Sequence, residues 1–309
     1  MKHIHCRPVR NRWLKALYEN NLVEASTRTR LYADKLYLYQ ELEKTLGPKL
    51  HLYHPKTWGL KAFLAKYDLT SPDSLQDTAR IEQALLQEFP TNVILKPAAV
   101  INTAGETGLY LFSRESILQA FEDQNKDLVQ ACLRETVYVS SLLGILAGGE
   151  EFILQEHIAA LAGYPVVTKT RHYQEVRIHT FENEVLKGAS YSRWQKNEIK
   201  NSQDFYRAQD FVQEFLNQLP AELLKGQAWG LDLLIFENGT VRILEINTNR
   251  GAQGQWTGFL SRPELMGAYT RLIEKKKGVR FAGLSGIMLR LNLGNITKHL
   301  KKKYIEGIR

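Results

Sequence analysis

Residues 230–251 read GLDLLIFENGTVRILEINTNRG, two apolar runs joined by Asn238-Gly239. Asn-Gly between apolar runs is the strongest short-range hairpin signal, because a type I′ turn asks for φ > 0 at both central residues. With that pair as the loop, Glu237 faces Thr240, Phe236 faces Val241, Leu234 faces Ile243 and Asp232 falls opposite Glu245. Side chains alternate faces with period two, so Asn247 joins the two acids. The acids' face also carries Leu234, Phe236, Val241 and Ile243, and the other carries Leu233, Ile235, Leu244 and Ile246. Such a hairpin, apolar on both sides, is expected to be largely buried. Two carboxylates opposed across a ladder repel. They call for a proton, a basic side chain or a metal ion, and an oxygen-only donor set of Asp, Glu and Asn suits a hard cation such as magnesium. The plainer alternative is a hairpin whose acids reach solvent or pair with Arg242 or Arg250.

The rest of the chain sets the frame for that choice. Its 309 residues, 44% hydrophobic and 24% charged, suffice for one large or two modest domains with a proper core. Cys6 and Cys132 are far apart and in no metal-type spacing, which fits a reducing compartment. MKHIHCRPVRNRW at the start is not followed by an apolar stretch, so no secretory signal is visible, and VYVSSLLGILAGG is too short for a membrane span. The expected location is the cytoplasm. The net charge of +8 points to acidic partners: nucleotide phosphates, an acidic substrate, nucleic acid or an anionic surface.

Helical and strand patterns alternate, which indicates an α+β (α/β) architecture. Helices are expected over 11–25, 31–46, 73–89, 113–125, 128–146 and 203–219, the second stopped by Gly47-Pro48. Strands are expected at LHLYHP (50–55), TNVILK (91–96), GLYLF (108–112), EFILQEHI (151–158), QEVRIHTF (174–181) and NEVLKGASY (183–191), followed by the hairpin. Beyond residue 255 the pattern is helical and rich in Lys and Arg, with EKKKGVR and HLKKKY as charge runs. These runs are either solvated faces or a surface that docks an anionic partner.

Several pieces could bring a phosphate to the acidic hairpin. Lys96 ends the strand VILK, and the loop that follows holds Gly105 and Gly108. A lysine suits phosphate oxygens as a point charge, and small residues let backbone N–H groups approach an anion. The apolar strand FIL turns polar at Gln155-Glu156, which could serve a purine edge and a ribose hydroxyl. Arg177 and His179 share one face of QEVRIHTF, and KGASYSRW adds Lys187 and Arg193. Taken singly, each piece reads equally as a glycine turn, a strand end or a salt bridge. Neither GxxxxGK[ST] nor GxGxxG occurs.

In order, Lys35, Lys96, Gln155-Glu156, Arg177, Asp232 and Glu245-Ile246-Asn247 resemble the ATP-grasp ligases, most closely the ribosomal-protein glutamate ligases and more loosely the tubulin tyrosine ligases. ADKLYLYQELEKTL is similar to the helix that opens their nucleotide-binding region. VILKP with TAGETG is similar to the lid with its lysine and glycine loop, ILQEHI to the adenine hinge, EVRIHTF to the strand bearing a phosphate arginine, and the opening stretch to the metal hairpin. The likeness covers roughly residues 31–255.

The resemblance implies two α+β lobes that grip ATP, with magnesium, or manganese in its place, bridging the phosphates. It implies that Asp232, Glu245 and Asn247 hold the metal. Lys35, Lys96, Arg177, Lys187 and Arg193 would serve the phosphates, with Gly105 and Gly108 in the lid loop and Gln155 and Glu156 at adenine and ribose. The activity implied is ligation of a carboxylate to an amine through an acylphosphate, on an acid and amine that the chain does not name, with a small molecule and a peptide or protein both open. The alternatives are a kinase acting on a hydroxyl and a non-catalytic nucleotide-dependent binding protein. The organisation expected is a short helical segment (1–33), a first ATP-grasp part (34–90), a lid (91–155), a lobe with the metal hairpin (156–255) and a basic helical tail (256–309). Three departures from the family pattern stand out. Only 33 residues precede Asp34, where relatives carry a full domain, the lid loop lacks early glycines, and Arg250 stands where relatives place proline. Arg250 either engages a carboxylate or acylphosphate bidentately or pairs with Glu245. Lys169, Arg171 and His172 either face an anionic acceptor or line a solvated loop.

Overall fold

The computed structural model describes residues 1–6, 10–24, 34–89, 93–98, 109–111, 151–158, 173–192, 203–248, 263–283 and 286–287. The expected helices at 113–125 and 128–146 lie outside them. The fold is α+β and divides into two compact units. One comprises 34–174 with 234–244, and the other 1–33, 175–233 and 245–309.

In the first unit, the helix Lys35–Leu46 begins where Asp34 caps it, its Oδ1 accepting from Leu36 N at 2.9 Å and Tyr37 N at 3.0 Å. The helix ends at Gly47, whose φ of 53° is the left-handed value that glycine adopts without penalty. The strand expected at 50–55 does not form. Gly47–Leu52 is a 3₁₀ turn with Pro48 near its start, and Tyr53 N closes back on Leu50 O at 3.0 Å. Proline sets φ for a helical entry, and Leu50 is fully buried from that turn. The strand comes later, as β2 (Thr57–Gly59), too short and too mixed to show a period. It joins β3 (Val93–Pro97), β4 (Leu109–Leu111) and β5 (Phe152–Glu156) in an antiparallel sheet of order β2-β5-β3-β4.

Two helices complete this core: Leu60–Lys66, which the sequence pattern did not single out, and Thr78–Glu88, capped by Asp77. Their Leu60, Phe63, Leu64 and Ile81 pack with Phe89, Leu95 and Leu154. Glu88 is a buried acid at the end of the second helix. Lys56 donates to it at 2.5 Å and Tyr67 at 2.8 Å, and Lys66 completes the knot. Burial pushes the Glu88 carboxyl up, but the hydrogen bonds from Lys56, Lys66 and Tyr67 outweigh that and bring it down to about 2.

The second sheet consists of β6 (Tyr173–Phe181), β7 (Glu184–Ser192), β8 (Ala228–Phe236) and β9 (Val241–Asn247), in the order β7-β6-β8-β9. The helix at the start of the chain is Arg10–Glu19, shorter than expected. Asn21 turns left-handed at φ 54°, and Leu22 N reaches back to Leu17 O at 2.9 Å, which stops the helix. Its Trp13 is fully buried and donates to Thr270 Oγ1 at 3.1 Å. Thr270 lies on the helix Pro263–Lys277, whose Tyr269 and Ile273 share a core with Leu17, Phe181 and Phe281. β1 (Lys2–Ile4) pairs in parallel with β10 (Val279–Phe281), a strand the basic pattern concealed. The run Lys275–Lys277 is engaged within its own unit. Lys275 meets Glu184 at 3.1 Å, Lys276 meets Asn183 at 2.6 Å, and Lys277 meets Glu182. The HLKKKY run lies outside the described residues.

Candidate active site

β8 is buried along its whole length, as its two-sided apolar pattern requires. The turn after it differs from the expected type I′ pair. Gly239 N donates to Phe236 O at 2.8 Å and Phe236 N to Thr240 O at 2.9 Å, so Phe236, not Glu237, faces Thr240. Gly239 has a φ of 83°, whereas Asn238 is not among the described non-glycine residues with positive φ. This is a three-residue loop, a type I turn closed by a left-handed glycine. The reason lies in Asn238: its Oδ1 accepts from Thr240 N at 3.0 Å, a local bond that leaves one residue instead of two in need of φ > 0.

A register moved by one would set Leu244, not Glu245, across from Asp232. Along β9, however, Val241 and Ile243 are buried, Leu244 and Glu245 are both half-buried, and Ile246 is buried again. The alternation slips once at Leu244–Glu245, which is what an inserted residue does to a period of two. Asp232 and Asn247 therefore share a face, and Asn247 Nδ2 donates to Asp232 Oδ2 at 3.1 Å.

The partner that neutralises Asp232 comes from β6. Glu182 N donates to Gln227 O at 2.8 Å, and Thr180 Oγ1 reaches Trp229 O at 3.5 Å. Carried along two antiparallel strands, that register sets Arg177 opposite Asp232. Arg177 Nε and Nη2 each lie 2.5 Å from an Asp232 oxygen, a bidentate pair on a fully buried carboxylate. Of the neutralisers the sequence left open, a basic side chain is present, and it is Arg177. Arg242 Nη1 donates to Val241 O at 2.9 Å, and Arg250 lies outside the described residues.

Of Asp232, Glu245 and Asn247, the residues that would hold a magnesium ion, Asp232 and Asn247 are in contact, with the Asn247 nitrogen turned to Asp232. Among the described residues no three His, Cys, Asp or Glu side chains gather as a metal cluster. The donor chemistry fits a hard cation.

The first unit assembles a second group. Lys35 N donates to Ala98 O at 2.9 Å, which brings the start of the first helix to the end of the Lys96 strand. On β5, which pairs with β3, Gln155 faces Ile94 and Glu156 faces Val93, and both are buried. Lys35, Lys96, Gln155 and Glu156 thus sit on adjoining elements of one unit. The side chain of Lys187, on β7, is not among those described, and Gly105, Gly108, Arg193, Lys169, Arg171 and His172 lie outside the described residues.

Sequence reading missed the residues that brace Gln155 and Glu156. Lys56 O accepts from Glu156 N at 2.9 Å, and Thr57 Oγ1 accepts from Gln155 Nε2 at 3.0 Å. A three-residue strand nearly a hundred positions away in sequence offers no local signal for this. His157 next to them is pushed down to about 4, first by burial and then by the Lys96 charge. Among the described residues no helix is long and apolar enough to cross a membrane.

No family model and no curated protein matches the chain. Among solved structures it is similar to the ATP-grasp ligase PsnB complexed with minimal precursor, Mg and ADP, at 15% identity over 74% of this chain and 55% of that one, TM-score 0.35. It is also similar to N5-carboxyaminoimidazole synthase from Aspergillus clavatus, at 12% identity over 75% of this chain and 49% of that one, TM-score 0.37. The macrocyclase MdnC bound with precursor peptide MdnA from Microcystis aeruginosa MRC is similar at 13% identity over 73% and 54%, TM-score 0.37. The chain spans about half the length of each of these three, and at this level of likeness the functional reading stands on the chain's own residues.

Proposed function

We propose that the chain is an ATP- and magnesium-dependent carboxylate–amine ligase of the ATP-grasp type. The observation that carries this reading is the contact of Arg177, Asp232 and Asn247, drawn from separate sequence pieces expected to share one phosphate and metal chemistry. When bound, magnesium supplies neutralisation of phosphate charge. Asp232, Glu245 and Asn247 hold it, and Arg177, Lys35 and Lys96 bind and orient phosphate oxygens, with Lys187, Arg193 and the Gly105–Gly108 loop assisting. Gln155 and Glu156 take the base and ribose, and Arg250 holds the acyl group. The γ-phosphoryl leaves ADP for a carboxylate oxygen of the substrate. An amine then attacks the acyl carbon, forming the C–N bond as phosphate leaves and the amine gives up a proton. Positioning and charge neutralisation are what phosphoryl transfer chiefly asks of a protein.

Calorimetry of ATP binding with and without magnesium, on the wild type and on Glu245→Ala, tests the reading. Magnesium-dependent binding that weakens at least tenfold in the variant, about 1.4 kcal/mol, is expected. A folded wild type that binds no nucleotide would overturn it. Hydroxylamine then separates the chemistries: a hydroxamate marks the acylphosphate of a ligase, and a stable phosphomonoester marks a kinase.

A further inference from the structure

We propose that Thr57 sets which base the site accepts, by fixing the polarity of the Gln155 side chain. This rests on the nucleotide reading above and names a positioning residue within it. Thr57 and Gln155 stand opposite each other in the β2–β5 pair, and both are buried, Gln155 to 3% exposure. The hydroxyl of Thr57 donates to Pro55 O at 3.1 Å, a carbonyl that also takes His54 Nδ1 at 2.9 Å. A hydroxyl has one hydrogen, so with that hydrogen on a carbonyl it can only accept from Gln155. It does so from Nε2 at 3.0 Å. The amide is thereby locked with its nitrogen toward Thr57 and its oxygen turned the other way.

That oxygen, Oε1, is buried and has no hydrogen-bond partner. Buried polar atoms in folded proteins are almost always satisfied, and an orphaned acceptor at a strand end marks the place of a donor that arrives from outside. The backbone next to it does not compete, since Glu156 N is already bound to Lys56 O at 2.9 Å. The incoming group must carry a donor, an N–H or an O–H. On a purine nucleotide that is the 6-amino group of adenine. The 6-oxo group of hypoxanthine or guanine would set acceptor against acceptor, and a site built to bond a donor rejects the analogue lacking it. The Pro55–Thr57–Gln155 relay therefore reads an amino base against an oxo base although Thr57 itself need not touch the ligand.

The experiment compares ATP with inosine triphosphate, which differs at the reading position by amino against oxo. Calorimetry in magnesium buffer should give the wild type a preference for ATP of roughly 10- to 100-fold. Thr57→Val keeps the shape but not the acceptor, so the amide can turn. The preference should fall toward unity chiefly through tighter binding of inosine triphosphate, and Thr57→Ser should restore it. A loss of both affinities in parallel, with the ratio kept, would mark a merely structural role and overturn the proposal. In the nucleotide-free protein, the side-chain amide resonances of Gln155, identified by their loss in Gln155→Met, should shift in Thr57→Val. If they do not move, the lock is wrong. A folded wild type that binds neither nucleotide overturns the functional reading and the base preference with it, whereas an unchanged ratio in folded Thr57→Val overturns the lock alone.

Discussion

Arg177 clasps Asp232 across two adjacent strands, both N–H···O distances being 2.5 Å, with the side chains 13% and 1% exposed. A buried acid thereby carries its own counter-charge within the sheet.

Removing that counter-charge takes the bidentate guanidinium from a buried carboxylate. Arg177→Met should lower unfolding free energy by about 3–5 kcal/mol, the usual cost of breaking such a pair. Arg177→Lys, which keeps charge without the fork, should fall between. Urea denaturation measures both. Magnesium without nucleotide should raise the Tm of Arg177→Met more than that of the wild type, because a cation can then take the place of the guanidinium.

Glu88 makes stability sensitive to acid. Its carboxyl lies near 4.5 when unhindered and at about 2 in the fold, so the contribution is complete above the first value and disappears as pH falls to the second. Thermal melts from pH 6 to pH 2 should show this descent, and Glu88→Gln should flatten it while lowering stability near neutrality by on the order of 2 kcal/mol.

His157 acts in a different window. Its folded value of about 4 lies below the ordinary 6.5, so between the two the unfolded chain binds the extra proton. The His157 contribution to stability should decline as pH falls from about 6.5 to 4 and level off below that, apart from the descent due to Glu88. His157→Gln, which cannot take the proton, should remove this part of the profile, as followed by denaturant midpoints at fixed pH.

Gly226 has a φ of 69°, and a Cβ built there would come within 3.0 Å of Glu24 Cβ and Glu24 N. The close approach carries the bond from Glu24 N to Gly226 O at 2.8 Å. Gly226→Ala should cost roughly 1–3 kcal/mol, from the left-handed backbone and the displaced neighbour together, with melting temperature as the check.

Period and turn chemistry made much of the molecule legible from sequence. The two-sided apolar runs of β8 and β9 announced a buried hairpin, Asn238-Gly239 announced its turn, and Gly47-Pro48 announced the end of the first long helix. These signals are local: they depend on side chains a few residues apart and on the φ values glycine and proline allow. The sharing of one face by Asp232 and Asn247 was legible for the same reason, although the register that delivers it came from a different turn and a later slip in β9.

What the tertiary structure alone decided was the choice among partners. Sequence offered Asp232 a proton, an arginine or a metal, and named Arg242 and Arg250 as the arginines. β6 supplied Arg177, because it is the neighbour of β8 in a sheet whose strand order no local pattern encodes. The same holds for Thr57 under Gln155, for Trp13 against Thr270, and for Lys275–Lys277, which close on the acids of the β6–β7 turn. Each is a contact between segments that only the packing of the core brings together. Hydrophobic burial, which is non-directional, specifies that such segments meet, and the register of the ladders then specifies which side chains face each other.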